Sequence, residues 1–142
     1  MTARATAADW PAIESLLVAS ALPLDGAAAA FATGLVERDG DAIVGVAAIE
    51  PYDGAAVLRS VAVREDQRGR GLGHELVAAA EALARDEGAA ELILLTETAE
   101  PFFGRLGYEV IERTAVPDDV AASIEFSTAC PSTAVTMRRR LA

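Results

Sequence analysis

The chain has 142 residues, 52% hydrophobic and 24% charged, which suits one domain with a proper core and excludes a disordered chain. A net charge of −10, with twelve arginines and no lysine, argues against DNA or RNA as a partner, because neutralising phosphates needs clustered cations. No apolar run nears the ~20 residues of a membrane helix, and the N-terminus lacks the basic start and apolar stretch of a secretory signal. The single cysteine, Cys130, excludes an internal disulfide, suits a reducing cytoplasm, and has no CxxC or HxxxH partner that would make a metal site.

Residues 2–6 read as a short strand. Asp9 is placed to cap a helix running to about Ser20, with Pro11 in its first turn and Trp10, Ile13, Leu16 and Leu17 on one apolar face. Pro23 breaks it, and Asp25 is placed to cap a second, alanine-rich helix ending before Gly34. Residues 35–38 and 42–49 read as strands joined by Asp39-Gly40, a tight hairpin signal. Tyr52-Asp53-Gly54 then turns the chain into an apolar β-type run over 57–63. A charged turn at 64–67 leads into a glycine loop, Arg68-Gly69-Arg70-Gly71-Leu72-Gly73. An alanine-rich helix follows, with Leu72, Leu76, Val77, Ala80 and Leu83 at helical spacing, and Gly88 stops it. Residues 91–96 form a buried-type strand, reached by a helical crossover and so parallel to the 57–63 strand. Thr98 is placed to cap a short helix over 99–106 that Gly107 closes. Residues 108–113 and 133–137 read as strands. The connection at 114–132 is long for a hairpin, with a helical turn starting at Pro117-Asp118-Asp119, and reads as a wall or lid over the substrate. Arg138-Arg139-Arg140 reads as a strand end with a solvated tail.

Strand, glycine loop and helix together make an architecture for holding an anionic phosphate. A helix start carries unpaired N–H groups and roughly half a positive charge. Glycines let the backbone approach a ligand, and Arg68 and Arg70 add donors suited to phosphate oxygens. The spacing lacks G-x-x-x-x-G-K-[ST], and the glycines at 69, 71 and 73 miss G-x-G-x-x-G, so neither a nucleotide-hydrolysing loop nor a dinucleotide fold fits.

Arg68, Gly71 and Gly73 match Q/R-x-x-G-x-G/A, the acyl-CoA loop of the GNAT acetyltransferases. Ser60-Val61-Ala62-Val63 resembles that family's fourth strand. Phe102-Phe103-Gly104-Arg105-Leu106-Gly107-Tyr108 resembles its F-Y-x-x-x-G-F/Y segment. Residues 50–52, 58–63, 95–100 and 130–135 resemble the small arsenic-operon branch, which in turn is similar to the acetyltransferase domain of acetylglutamate synthases. The resemblance covers nearly the whole chain and implies one GNAT domain over 1–142. The implied fold is α/β (α+β): a mixed, mostly antiparallel sheet with a splayed central parallel pair and helices on both faces.

The same resemblance implies acetyl-CoA as cofactor, wedged between the splayed strands. Val61, Ala62 and Val63 would run along its pantetheine arm as a neighbouring strand does, and the Val61 amide would polarise the thioester carbonyl. Arg68, Gly69, Arg70, Gly71, Leu72, Gly73 and His74 would hold the diphosphate, with Phe102 and Phe103 as an apolar wall. The implied reaction is direct attack of a small amine on the thioester, in a cytoplasmic protein of a family that often dimerises.

Direct attack needs a base for the amine proton. Glu50, ending an apolar strand, is the candidate, with Glu97 and Glu100 as rivals. Arg59 interrupts an apolar strand and must find an anion: either it clamps an acceptor carboxylate or it pairs internally with Glu50 or Glu97. Ser60, Thr96 and Cys130 complete the expected acceptor side. Many family members place a tyrosine where this chain has Phe103, and that phenol protonates the departing thiolate. Phenylalanine cannot, which leaves water, Tyr108, Cys130 or an unprotonated thiolate. It also leaves open a second reading, an acetyl-CoA-binding sensor without acceptor turnover.

Overall fold

Seven strands form one sheet in the order β1-β2-β3-β4-β5-β7-β6, in a computed structural model that describes residues 2–129 and 132–141. β1 (Thr2–Arg4), β2 (Gly34–Asp39), β3 (Ala42–Pro51) and β4 (Ala55–Val63) run antiparallel in succession. β4 and β5 (Glu91–Thr96) are parallel, as the crossover helix between them requires. β7 (Val135–Arg140) lies antiparallel between β5 and β6 (Glu109–Ile111).

Period-two alternation sorts the strand side chains into layers. On β3, Ala47 and Ile49 join the core under α3 (Leu72–Asp86), while Val46 and Ala48 join the core under α1 (Trp10–Ala19). α3 turns Leu76, Val77, Ala80 and Ala84 onto the sheet, and α4 (Glu100–Arg105) joins the same layer through Phe103. α1 and α2 (Ala27–Ala30) close the opposite face with Ile13, Leu17 and Ala27. A third cluster sets Val116, Phe126 and Val120, on α5 (Asp118–Ala121), against Ala55, Val57 and Ile93. From Val116 to Phe126 the long connection is therefore packed against the sheet as a wall. Among the described residues no helix is long and apolar enough to cross a membrane.

One irregularity in β4 matters for the site. Its partners on β3 step from Ala62↔Val46 to Arg59↔Ala48, so β4 carries an extra residue there. Ser60 takes a left-handed φ of 58°. A one-residue insertion reverses the faces. Leu58 sits in the α3 layer, Ala62 in the α1 layer, and Val61 and Val63 turn back toward α3.

Several local expectations need correction. Asp25 caps nothing: Gly26, with φ 71°, holds the position before α2, which lasts one turn before a tighter turn at Phe31–Thr33. Asp9 is committed elsewhere, accepting the Thr6 N–H at 2.8 Å and pairing with Arg38 at 2.7 Å. The Arg38 contact holds its carboxyl below the ordinary value. Thr96, not Thr98, serves α4, its Oγ1 accepting the Ala99 N–H at 3.0 Å. The arginine run continues β7 instead of fraying, because acidic partners wait on neighbouring elements. Arg138 meets Glu109 at 3.2 Å and Glu91 at 3.7 Å, and Arg139 meets Glu81 at 2.8 Å.

Candidate functional site

β4 and β5 pair only at Ala55↔Glu91, Ala56↔Leu92 and Val57↔Ile93. Beyond Val57 they part, because β5 stays with β7 as far as Thr96 while β4 follows β3 through the Ser60 bulge. Ser60 and Val61 have no ladder partner in either register. The gap is a cleft in two connected parts. One, of about 480 Å³, is lined by Arg59, Ser60, Thr96, Glu97, Glu125 and the 20–23 loop, among others. The other, of about 520 Å³, reaches from Val63 to Gly69, Gly71, Gly73 and His74, with Phe102 as one wall. Val61, Ala62, Val63, Arg68, Ala99 and Phe103 belong to both.

The glycine loop has the shape of an anion cradle. Gly69 and Gly71 hold φ of 81° and 80°, and a Cβ on either would meet nothing within 4 Å. Their backbone therefore faces open space, and Gly71 is the residue immediately before α3, where helix N–H groups lack partners. Gly73 has another role: a Cβ there would lie 3.3 Å from Phe102 Cζ. Arg68 pins the loop to the strand, its Nε donating to the Val63 carbonyl at 3.1 Å. Arg70 does not line the cleft; its Nη1 donates to Gln67 Oε1 at 2.7 Å. An elongated diphosphate ligand with an apolar arm fits this course: the glycine loop and the start of α3 at one end, Val61, Val63, Phe102 and Phe103 along the middle.

Phe103 is buried and meets Phe102 and Tyr108 edge-on at 5.1 and 5.4 Å. Tyr108 does not reach into the cleft. Its hydroxyl donates to Glu81 at 2.8 Å, on the carboxylate that Arg139 also holds. This removes Tyr108 as an acid for the thiolate and gives it the packing role. Cys130, the other protein candidate for that role, lies outside the described residues.

Both tyrosines are held neutral. Burial, reinforced by Glu81, pushes the Tyr108 phenol well above its ordinary value. Burial and the Glu50 carboxylate push Tyr52 up from 10.0 to about 12. A raised phenol binds its proton more tightly in the folded chain, so this stabilisation is complete below pH 10 and is lost as pH rises toward 12. The expected result is an absorbance titration with no phenolate step near pH 10, ionisation appearing only at higher pH together with unfolding. A reversible step at pH 10 with retained fold would contradict one contact if one tyrosine ionises and both if two do.

At the 480 Å³ end, Arg59 is the centre of a buried network. Its side chain is wholly inaccessible. Nη1 donates to Glu50 at 3.0 Å, Nε donates to Ser60 Oγ at 3.2 Å, and Nη2 lies 3.5 Å from both the Pro23 carbonyl and Glu125. The internal pair foreseen for Arg59 thus exists, with Glu50 and Glu125 and not with Glu97. Glu50 does not line the cleft. It lines a separate hollow of about 260 Å³, with one oxygen accepting from Tyr52 and the other from Arg59. This geometry is that of a support for Arg59. Glu97 is exposed on the cleft rim and accepts from Thr133 at 3.2 Å, while Glu100 lines neither part of the cleft. Glu125 escaped the sequence reading. Its signal was the one that drew notice to Arg59, a lone charge in an apolar run, here Ile124-Glu125-Phe126.

The 20–23 loop over this network carries strain. Ala21 has φ 56°, a conformation that costs a side-chain-bearing residue about 1–2 kcal/mol. Ala21→Gly is expected to raise stability by about 1 kcal/mol, or a few degrees in melting temperature. Unchanged or lowered melting would mean that the loop is not held in this conformation.

Comparison with known proteins gives a consistent answer. The profile of the Acetyltransferase (GNAT) family matches residues 5–108. An uncharacterised N-acetyltransferase of Chlorobaculum tepidum, CT2212, is 39% identical over 79 residues, 55% of this chain; the match spans about half the length of that relative. Among solved structures, Rv2747 from Mycobacterium tuberculosis, in complex with CoA and the ligand NLQ, superposes with a TM-score of 0.84 at 28% identity, over 100% of this chain and 99% of that one. N-acetylglutamate synthase from Neisseria gonorrhoeae, complexed with coenzyme A and N-acetyl-glutamate, shares the fold with a TM-score of 0.84 at 20% identity, covering 100% of this chain and 35% of that one. The family match takes in the parted strands, the glycine cradle and the aromatic segment as far as Tyr108, and with them the chain belongs to the GNAT acetyltransferase family.

Proposed function

We propose that the protein moves an acetyl group from acetyl-CoA to the amine of a small, amino-acid-like acceptor by direct attack. The observation that carries this reading is the opening of β4 from β5 at Val57, with a glycine cradle at one end of the gap and a charged hollow at the other. Acetyl-CoA supplies an activated acetyl thioester. The chain's own residues do the rest. Gly69, Gly71 and Gly73 present backbone to a diphosphate, Val61 and Val63 lie along the arm, and Phe103 shields the reacting end from water. Most of the acceleration in such a reaction comes from holding amine and thioester together.

Arg59 backs the hollow beside Ser60 and Thr96, and an acceptor carboxylate would meet its buried guanidinium by taking the place of the looser Glu125 contact. The kinship in fold with N-acetylglutamate synthase and the resemblance to the arsenic-operon branch point the same way. Cytoplasmic location and homodimer formation belong to this reading as expectations. The test is thiol release from acetyl-CoA across a panel of amino acids and polyamines, with calorimetric titration of acetyl-CoA. Binding without acceptor-dependent thiol release would favour a sensor, and absence of binding would overturn both readings.

A further inference from the structure

A third hollow, of about 210 Å³, lies outside the cleft and is lined by residues of α3, of the end of α4 and of β7. His74, Glu81, Arg105 and Arg139 are its polar lining. Glu81 is the one carboxylate there, and it is already committed on both oxygens. Arg139 Nη1 donates to them at 2.9 and 2.8 Å, and the Tyr108 hydroxyl donates to one of them at 2.8 Å. Arg139 stays 38% exposed, its Nε over Gly107, where a Cβ would come within 3.5 Å. An arginine fixed by a buried carboxylate keeps its remaining N–H groups in a set direction. Arg105 is exposed, and among the described residues no carboxylate pairs with it. Glu81 balances Arg139, so Arg105 leaves the hollow positive on a chain whose net charge is −10.

We propose that this hollow binds a phosphate monoester, and that the group it takes is the 3′-phosphate of coenzyme A. Such a group carries close to two negative charges at neutral pH and offers three acceptor oxygens. Arg105 and Arg139 supply planar forks suited to those oxygens, and His74 a further N–H. Continuity with the cleft selects the ligand. His74, in the first turn of α3, lines both this hollow and the 520 Å³ part beside the glycine loop. Ala78, also in the lining, lies one turn further along the helix, about 6 Å away. Coenzyme A carries its diphosphate and its 3′-phosphate on one ribose, so a diphosphate on the loop brings the second anion to the next turn of α3. Glu81 and Tyr108 are then a support that keeps Arg139 turned to the ligand. The inference deepens the acetyltransferase reading and rests on it. It makes the chain selective for acetyl groups carried on coenzyme A over those carried on phosphopantetheine alone.

The test is calorimetry on the full chain with CoA and with dephospho-CoA, which lacks only that phosphate. The wild type is expected to bind CoA at least tenfold more tightly. Arg105→Gln, an exposed change that leaves the core contacts alone, should cost about tenfold in CoA affinity and leave dephospho-CoA affinity as it was. Arg105→Lys should recover part of the loss, since it restores the charge without the fork. Arg139→Gln should cost CoA affinity in the same selective way, alongside a lower melting temperature from the loss of its Glu81 contact. Inorganic phosphate added to the dephospho-CoA titration separates the two sources of the anion. No gain is expected, and a gain to the level of CoA would assign the hollow to a free ion and overturn the proposal. Wild-type affinities for the two ligands within about threefold of each other overturn it too, as does a preference for CoA that survives both arginine variants. Each of these leaves the acetyltransferase reading standing. A wild type that binds neither ligand overturns that reading itself, and the phosphate site goes with it.

Discussion

Arg59→Met is expected to cost about 3–5 kcal/mol of folding stability, the range for breaking a buried charge network by removing one partner. The side chain is fully inaccessible and meets Glu50, Ser60, the Pro23 carbonyl and Glu125 at once. Methionine fills part of the volume but removes the cation that both carboxylates share. For a domain of this size the loss is a large fraction of the total, about 5–15 kcal/mol. Urea unfolding should show a lower midpoint at an unchanged slope. The double variant Arg59→Met with Glu125→Gln should recover part of the loss, because it removes one of the stranded charges. A single-variant loss under 1 kcal/mol would mean that Arg59 is solvated, and the internal pairing described above would fall.

The difference between what was legible and what was not follows from the range of the interactions involved. The glycine loop, both central strands and the order of helices are written locally: φ-permissive residues, apolar runs and helical spacing act over a few positions. The lining of the 520 Å³ part of the cleft was therefore readable, from Val61 through Gly73, apart from Arg70, which turns to Gln67. The 480 Å³ part depends on contacts far apart in the chain. Arg59 was conspicuous because a charge in a strand core demands a partner; Glu50, on the next strand, was one of the two partners expected and is the closer one found, while Glu125, 66 positions away in a stretch read only as wall or lid, was not foreseen. The bulge at Ser60 left no trace in the pattern, since Val57 through Val63 reads as one strand in either register. Arg138 and Arg139 were read as a solvated tail for the same reason: their acidic partners, Glu91, Glu109 and Glu81, come from three other elements.

Gly71→Val is expected to weaken CoA binding by at least thirtyfold, about 2 kcal/mol. Gly71 holds φ 80° and ψ 8° at the start of α3. A β-branched residue disfavours that conformation, so the peptide either rotates or stays strained. Rotation turns the first helix amides away from the cradle. Staying puts the new side chain where nothing now stands within 4 Å, the space a diphosphate needs. Either response removes the anion site, while the distant core clusters keep their contacts. Gly40→Val is the matched control. It also imposes a side chain at positive φ, 63°, with nothing within 4 Å, but in the β2–β3 hairpin, away from the cleft residues. The control should lose comparable stability and keep its CoA affinity, as read by calorimetry. If both variants bind CoA as the wild type does, the diphosphate does not lie on the loop at 69–73. The parted strands would then be an inherited shape with no thioester between them.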